Sequence, residues 1–179
     1  KRQLAVYAKS YDFDFIIGSS HLCNRKDPYY PEFFEGRSED EAHHEYFMSV
    51  LECVKTLPYF DVYGHLDYVV RYGPTFNKKY TYAKHADVFD QILTHLIENE
   101  KGLEVNTKGF CMGLGQPNPC AEILKRYHEL GGEIITVGSD AHKPDEIAQE
   151  FDRARSLLLE CGFRYYCIYQ SRVPEYLKL

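Results

Sequence analysis

Short apolar runs alternate along the chain with longer segments in which apolar residues recur every three to four positions. The short runs are rich in β-branched and aromatic residues and lie close to Gly, Pro or Asp, a pattern typical of β-strands. We therefore predict five strands, at residues 13–17, 60–64, 103–105, 134–137 and 165–169.

The longer segments predict four helices, which lie between these strands. They cover residues 39–57, 83–99, 119–131 and 145–160. Ser38 and Glu41 have the spacing of a capping box at the start of the first helix. Asn118 is the expected N-cap of the third helix, with Pro119 as its first helical residue.

Strands that alternate with helices along a chain are usually parallel and joined by right-handed crossovers, so the predicted fold class is α/β. The pattern fits either an open doubly wound sheet or part of a barrel. A chain of 179 residues is long enough for one domain with a sizeable core, so residues 1–179 are expected to form a single domain.

Composition narrows the choice of partners. The chain is 44% hydrophobic and carries a formal net charge of -6 with no block of Lys or Arg, which argues against nucleic acid or an anionic membrane as the main partner. The sequence has neither a long uncharged apolar run nor a signal-peptide pattern, so we expect a cytoplasmic protein. The six cysteines contain no C-x-x-C pair and are expected to be buried, reduced thiols.

Metal-competent side chains follow three of the predicted strands. His21, His65, Asp140 and His142 each come after a Gly at the carboxyl end of a strand, where active sites of parallel α/β folds lie. Asp140 and His142 are two residues apart and would project to the same side of extended backbone. Imidazole and carboxylate ligands together suit Zn²⁺, Fe or Mn²⁺ and disfavour Ca²⁺. The alternative is that each histidine is an isolated, hydrogen-bonded residue at a strand end.

The other histidines and Asp67 are not expected to bind metal. Asp67, two residues after His65, is expected to orient an imidazole rather than to bind metal. Five histidines are expected to be solvated: His43, His44, His85, His95 and His128. The sequence contains neither a complete nucleophile elbow nor a P-loop.

Four motifs in order along the chain resemble those of the polymerase and histidinol phosphatase (PHP) superfamily. They are DFDFIIGSSH at 12–21, YGHLD at 63–67, EVNT at 104–107 and GSDAH at 138–142. The insertion PYYPEFFEG at 28–36 and the ending GFRYY at 162–166 look like the histidinol phosphatases within it. The resemblance covers nearly the whole chain, and the set of motifs is specific although each alone is weak.

This resemblance implies a distorted TIM-like (β/α)7 barrel with a trinuclear centre of divalent ions, Zn, Fe or Mn, at the carboxyl ends of its strands. Members remove phosphate from L-histidinol phosphate in histidine biosynthesis. Carried over to this sequence, the resemblance assigns His21 and His65 to one metal, Asp140 to a second and His142 to a third.

The family also begins with an Asp-x-His-x-His strand, two more metal-binding histidines and a bridging Glu, and none of these precedes Asp12. The chain begins without Met, at what looks like the end of a helix. We therefore expect an N-terminally truncated portion of the barrel with about five strands. By itself, such a chain would bind metal weakly and be a poor catalyst.

For the intact protein, the expected activity is metal-dependent hydrolysis of a phosphate monoester, with L-histidinol phosphate as the substrate. Asp140 or His142 would pass a proton to the leaving group. Candidates for binding this small phosphorylated substrate are Arg71, Lys108, Asn106 and Arg25. The alternatives are another PHP phosphoesterase, either an exonuclease or a phosphotyrosine phosphatase, and a metal-free interaction domain without catalytic activity. The oligomeric state is left open.

Overall fold

Four parallel strands form the central sheet of the computed structural model, which describes residues 2–76 and 78–179. They are paired in the order of the sequence: β1 Ile17–Gly18, β2 Val62–Tyr63, β3 Gly102–Asn106 and β4 Ile135–Gly138. β2, β3 and β4 lie at the second, third and fourth predicted runs, whereas β1 shares only Ile17 with the first run, 13–17. The α/β class with a parallel sheet is therefore confirmed.

The fifth predicted strand does not join this sheet. Tyr165–Gln170 (β5) pairs antiparallel with Val173–Lys178 (β6) in a separate two-stranded sheet. Ser171 and Arg172 form the connecting turn, both with positive φ as a tight hairpin turn requires. The prediction of five strands missed β6 because Pro174 within it argues against a strand, yet Pro174 is accommodated in this two-stranded sheet.

The expected barrel is not seen in the described part of the chain. β1 and β4 lie at the two edges of the parallel sheet, so the sheet is open over residues 2–76 and 78–179. The observed architecture is thus a parallel sheet with helices, followed by an antiparallel hairpin.

Helices and 3-10 turns connect the strands. The α-helices are α1 Arg2–Lys9, α2 Glu39–Thr56, α3 Ala86–Glu98, α4 Lys108–Cys111, α5 Ala121–Glu129 and α6 Phe151–Glu160. The 3-10 helices are Pro31–Phe33, Tyr68–Arg71, Tyr82–His85 and Pro144–Glu146. The capping box of α2 is confirmed, since Ser38 Oγ accepts from the amide of Glu41 while the Glu41 carboxylate accepts from the amide of Ser38.

The start of α5 differs from the prediction. The helix begins at Ala121, with Cys120 and not Asn118 at the N-cap. Asn118 instead forms two backbone hydrogen bonds with Asn106 at the end of β3, of 2.8 and 3.0 Å. This pairing keeps the backbone extended at Asn118 and delays the helix, and it brings the Asn118 side chain to the strand ends.

Two composition-based expectations concern the cysteines and the membrane. All six cysteines are free thiols, and four are buried, but Cys111 is exposed and Cys53 only half-buried, so burial was predicted correctly for only four of the six. Among the described residues, no helix combines the length and the apolar character needed to cross a membrane.

Candidate functional site

Two of the predicted metal ligands meet at the ends of neighbouring strands. His21 follows β1 and His65 follows β2, and the two strands are joined by a 2.7 Å hydrogen bond from the amide of Gly64 to the carbonyl of Gly18. The two imidazole rings are 4.9 Å apart between centroids. His21 is exposed to solvent and His65 is buried, so the pair links the surface to the interior of the sheet end.

The His65 ring has a buried Nδ1 without a hydrogen-bond partner among the described residues. Burial lowers the pKa of His65 to about 4, and the positive charge of Arg71 acts in the same direction. The imidazole is therefore neutral at physiological pH. Its backbone has a positive φ of 31°, a strained conformation that clusters at functional sites.

Arg71 lies at the centre of the strand ends and is only 4% exposed. Its guanidinium donates three hydrogen bonds, to Asn118 Oδ1 at 2.8 Å, Asn106 Oδ1 at 2.8 Å and Asp140 Oδ2 at 3.0 Å. These acceptors come from the ends of β3 and β4 and from the segment before α5. Arg71 therefore ties three parts of the chain together at the site.

Asp140 follows β4 and is held by Arg71. Burial alone would raise the pKa of its carboxyl group, but the hydrogen bond and charge of Arg71 outweigh burial and leave the pKa below its usual value. Asp140 is therefore ionised, as a metal ligand must be. Its backbone also has a positive φ, of 53°.

His142 is placed differently from the other candidate ligands. Its side chain is exposed, and its Nδ1 lies 2.8 Å from the carbonyl oxygen of Asp140. The His142 amide donates to Glu146 Oε2, which also forms an ion pair of 2.7 Å with Lys108 Nζ. Lys108 is thus already paired, and it is fixed to the loop that carries His142.

The remaining two substrate candidates, Asn106 and Arg25, differ in their exposure to solvent. Asn106 is buried, and its Oδ1 accepts from Arg71 and from the Lys108 amide while its Nδ2 donates to Glu104. Arg25 is exposed in the loop after His21. The structure therefore brings Arg71 and Asn106 together with Asp140, and it leaves Arg25 in the surface loop.

Glu104 is a site residue that the sequence analysis missed. It is 5% exposed in the middle of β3, accepts from the amide of His65 and from Asn106 Nδ2, and burial raises its pKa. Two glycines make room for it, Gly138 at the end of β4 and Gly64 directly after β2. A Cβ at Gly138 would overlap Glu104 Oε1, and one at Gly64 would lie 3.1 Å from Oε2. An acidic residue inside a fully buried parallel strand was the available signal.

Asp67 does not orient an imidazole, so that prediction is wrong. It is buried, and it accepts from Asn118 Nδ2 at 2.7 Å, the amide of Cys120 at 3.0 Å and the hydroxyl of Tyr80 at 3.2 Å. The 3-10 turn Tyr68–Arg71 follows Asp67 directly and points this part of the chain toward the segment before α5. Asp67 therefore supports Asn118, which in turn binds Arg71.

The prediction that His43 and His85 are solvated is also wrong. They are 1% and 2% exposed, because α2 packs on α3 and on the segment around Tyr80. In the described part of the chain, one group brings three potential ligand atoms within 4.8 Å of one another, and it consists of Asp40, His43 and His85. The four strand-end residues do not form such a group.

The chain is similar in sequence to a known domain and to known proteins. The chain matches the PHP domain over residues 1–108. It is 30% identical to a probable histidinol-phosphatase of Clostridium acetobutylicum, over 98% of the chain and 68% of the relative. It is 32% identical to a histidinol-phosphatase of Lactococcus lactis, over 91% of the chain and 61% of that protein.

A solved structure agrees with these matches. The crystal structure of histidinol phosphate phosphatase from Lactococcus lactis, in complex with Zn, L-histidinol and phosphate, superposes with a TM-score of 0.84 at 30% identity. The match covers 98% of the chain and 66% of that structure, so the chain spans about two thirds of the length of the relatives it matches. The chain belongs to the PHP domain family, and its relatives there are histidinol-phosphatases.

Proposed function

We propose that the whole protein hydrolyses L-histidinol phosphate to L-histidinol and phosphate with the help of bound divalent metal ions. The observation that carries the proposal is that His21 and His65 follow neighbouring strands with their rings 4.9 Å apart, while Asp140, which follows β4 at the same end of the sheet, is held by the buried Arg71. The Lactococcus lactis histidinol phosphate phosphatase, whose structure superposes on this chain, was crystallised in complex with Zn, L-histidinol and phosphate. Together these support a phosphate monoester as the substrate class.

The residues at the strand ends fit the proposed metal ions. His65 offers a neutral imidazole with an unpartnered Nδ1, and Asp140 offers an ionised carboxylate. We assign His21 and His65 to one ion, Asp140 to a second and His142 to a third, the trinuclear arrangement that the PHP resemblance implies. Mixed imidazole and carboxylate ligands suit Zn²⁺, with Fe and Mn²⁺ as the alternatives.

Bound ions of this kind hold phosphate oxygens and lower the pKa of a bound water. The side chains of this chain have distinct tasks around them. Arg71 keeps Asp140 ionised, and because three of its five N–H groups donate to partners among residues 2–76 and 78–179, the other two are proposed to donate to a phosphate oxygen. The lowered pKa of Asp140 makes it a weak acid catalyst. Of the two expected proton donors this leaves His142, which would donate a proton to the leaving oxygen only while it does not bind the third ion.

The other substrate residues follow from their contacts. Asn106 accepts a hydrogen bond from Arg71, so it would act on the phosphate only by orienting that guanidinium. Lys108 would reach the substrate only by leaving Glu146. Arg25, in the loop after His21, would contact the substrate from the solvent side.

We further propose that the parallel sheet is part of a (β/α)7 barrel of the PHP type and that residues 1–179 belong to one PHP domain. Support comes from the superposition with the Lactococcus lactis structure. In such a barrel, active-site residues at the carboxyl ends of the strands face a common opening.

The test is phosphate release from L-histidinol phosphate by protein that has been stripped of metal with a chelator and then reloaded with Zn²⁺. Activity should require the metal and should fall in His21→Ala and His142→Ala, while His95→Gln in the last turn of α3 should retain it. Faster turnover of a nucleotide phosphodiester or of phosphotyrosine would favour the other PHP activities. No phosphate release from any of these substrates would favour the metal-free interaction domain.

A further inference from the structure

A second group of metal-competent side chains lies in the interior between α2 and α3, and we call Asp40, His43 and His85 the interior cluster. Asp40 and His43 are three residues apart on α2 and so share a face of the helix. His85 lies directly before α3. None of the three belongs to the strand-end site.

The imidazoles of the interior cluster are buried without polar partners. In the described part of the chain, neither ring nitrogen of His43 and neither ring nitrogen of His85 has a hydrogen-bond partner. The rings around them are aromatic, and the neighbours within 6.5 Å include Phe47, Tyr80 and Phe89. Buried polar atoms are normally hydrogen-bonded, so four such nitrogens in one place require an explanation.

We propose that the interior cluster is a zinc site. One carboxylate oxygen and one nitrogen from each imidazole already lie within 4.8 Å of one another. Two histidines and one aspartate are a ligand set that Zn²⁺ accepts, with a water in the fourth position. Ca²⁺ and Mg²⁺ prefer oxygen ligands and would not satisfy the two imidazoles.

Lys84 forms an ion pair with the carboxylate of Asp40. Its Nζ lies 2.9 and 2.8 Å from the two oxygens of Asp40, and the lysine side chain is 40% exposed. A zinc ion would take the place of the ammonium group as the positive partner of Asp40, and Lys84 could turn into solvent without being buried. Lys84 is therefore a competitor for the site and not a ligand.

The interior cluster packs against Tyr80, in the segment that follows Arg71. The Tyr80 ring packs 5.8 Å from that of His43, and its hydroxyl donates to Asp67, which accepts from Asn118. Gly73 lies against the His43 ring, where a side chain would not fit easily. Zinc bound here would fasten the segment 80–85 onto α2, next to the side chains that support Arg71 through Asp67 and Asn118.

The experiment is a Zn²⁺ titration by calorimetry of the chelator-treated chain, in a background that carries His21→Ala and His142→Ala to weaken the strand-end site. Both residues are exposed, so the background should fold. We expect about one equivalent of Zn²⁺ to bind. Loss of an outer partner of a metal ligand costs about 10–100-fold in affinity, so loss of a ligand in Asp40→Asn should cost at least about 100-fold.

Three further variants separate binding from folding. His85→Phe keeps an aromatic ring in the core and should also lose the ion. Lys84→Gln removes the competitor and should tighten binding. His95→Gln changes a histidine outside the cluster and should leave the titration unchanged. Circular dichroism of each variant checks that it is folded.

The result that overturns the proposal is a background protein that binds no Zn²⁺, or one whose binding is the same in Asp40→Asn and His85→Phe. Asp40→Asn and His85→Phe change no strand-end residue, and the titration measures Zn²⁺ binding and not phosphate release, so failure here would be distinct from failure of the proposed phosphatase activity.

Discussion

The strand-end site and the interior cluster contain the same kinds of side chain in different surroundings. Both combine histidines with an aspartate, but at the strand ends His21 and His142 are exposed and Arg71 supplies a positive charge. In the interior, aromatic rings enclose the imidazoles and only Asp40 reaches solvent.

The difference in solvent exposure and nearby charge suits the two sites to different functions, substrate binding at the strand ends and structural support in the interior. An open site with a buried cation is suited to bind an anionic substrate, because solvent access lets the ligand enter and the arginine attracts it. A site whose imidazoles are buried among aromatic rings, with only its carboxylate at the surface, is suited to hold structure. Solvent access and the nearby charge, more than the ligand types, therefore indicate which site does chemistry.

The largest effect is expected at the arginine that distinguishes the strand ends. Arg71→Met removes a buried guanidinium that donates to Asn118, Asn106 and the half-buried Asp140, and removing one partner of a buried charged pair costs about 3–5 kcal/mol. Urea unfolding should show this loss, together with loss of phosphatase activity. Arg25→Met, in the exposed loop, should change stability by less than about 0.5 kcal/mol. Equal stability of the two variants would contradict the central place of Arg71.

Zinc should stabilise the protein through the interior cluster even when the strand-end site is weakened. At a free Zn²⁺ concentration of 100 times the dissociation constant, the free energy of unfolding should rise by about 2.7 kcal/mol. The measurement is urea unfolding of the His21→Ala/His142→Ala background with and without the ion. Adding Asp40→Asn to that background should abolish the gain, and a gain that persists would place the ion elsewhere.

The packing of Glu104 gives a somewhat smaller effect that is specific to the strand ends. Gly138→Ala places a methyl group against the Glu104 carboxylate, and overpacking of this kind costs about 1–3 kcal/mol. In a double-mutant cycle, Glu104→Ala should relieve the clash, so the two losses should not add. Strict additivity in urea unfolding would show that Gly138 does not make room for this side chain.

The smallest effect concerns the helix that carries Asp40 and His43. Ser38→Ala removes the capping box of α2 and should cost about 1 kcal/mol. Because Asp40 lies in the first turn, Zn²⁺ affinity at the interior cluster should fall while phosphatase activity stays unchanged. Ser156→Ala on α6 is the matched control and should alter neither quantity. A change in activity alone would mean that the capping box supports the strand ends instead.

The sequence was sufficient to predict the parallel strands and the residues that follow them, because glycine and an imidazole or carboxylate at a strand end are a local pattern. Glu104 was missed because its role depends on glycines at the ends of two neighbouring strands, which are far away in the sequence. Asn118 was misassigned because an Asn-Pro pair before a helix is typical of an N-cap, and only the pairing with Asn106 overrides that.

The interior cluster could not be predicted for a related reason. Asp40 and His43 have a helical spacing that fits a shared face, but His85 joins them only through the packing of α2 on α3. The hairpin of β5 and β6 escaped prediction because its second strand contains a proline and mostly exposed residues. A contact between distant segments therefore determines the interior cluster, whereas the hairpin is a local pairing that its proline obscures.

The most direct measurement of the central claim is the rate of phosphate release from L-histidinol phosphate by chelator-treated protein with and without added Zn²⁺. The account predicts release that depends on Zn²⁺, that exceeds release from phosphotyrosine and from nucleotides, and that is lost in His65→Ala but kept in Asp40→Asn. Release that continues without metal, or that survives His65→Ala, would contradict a metal-dependent phosphatase site at the strand ends.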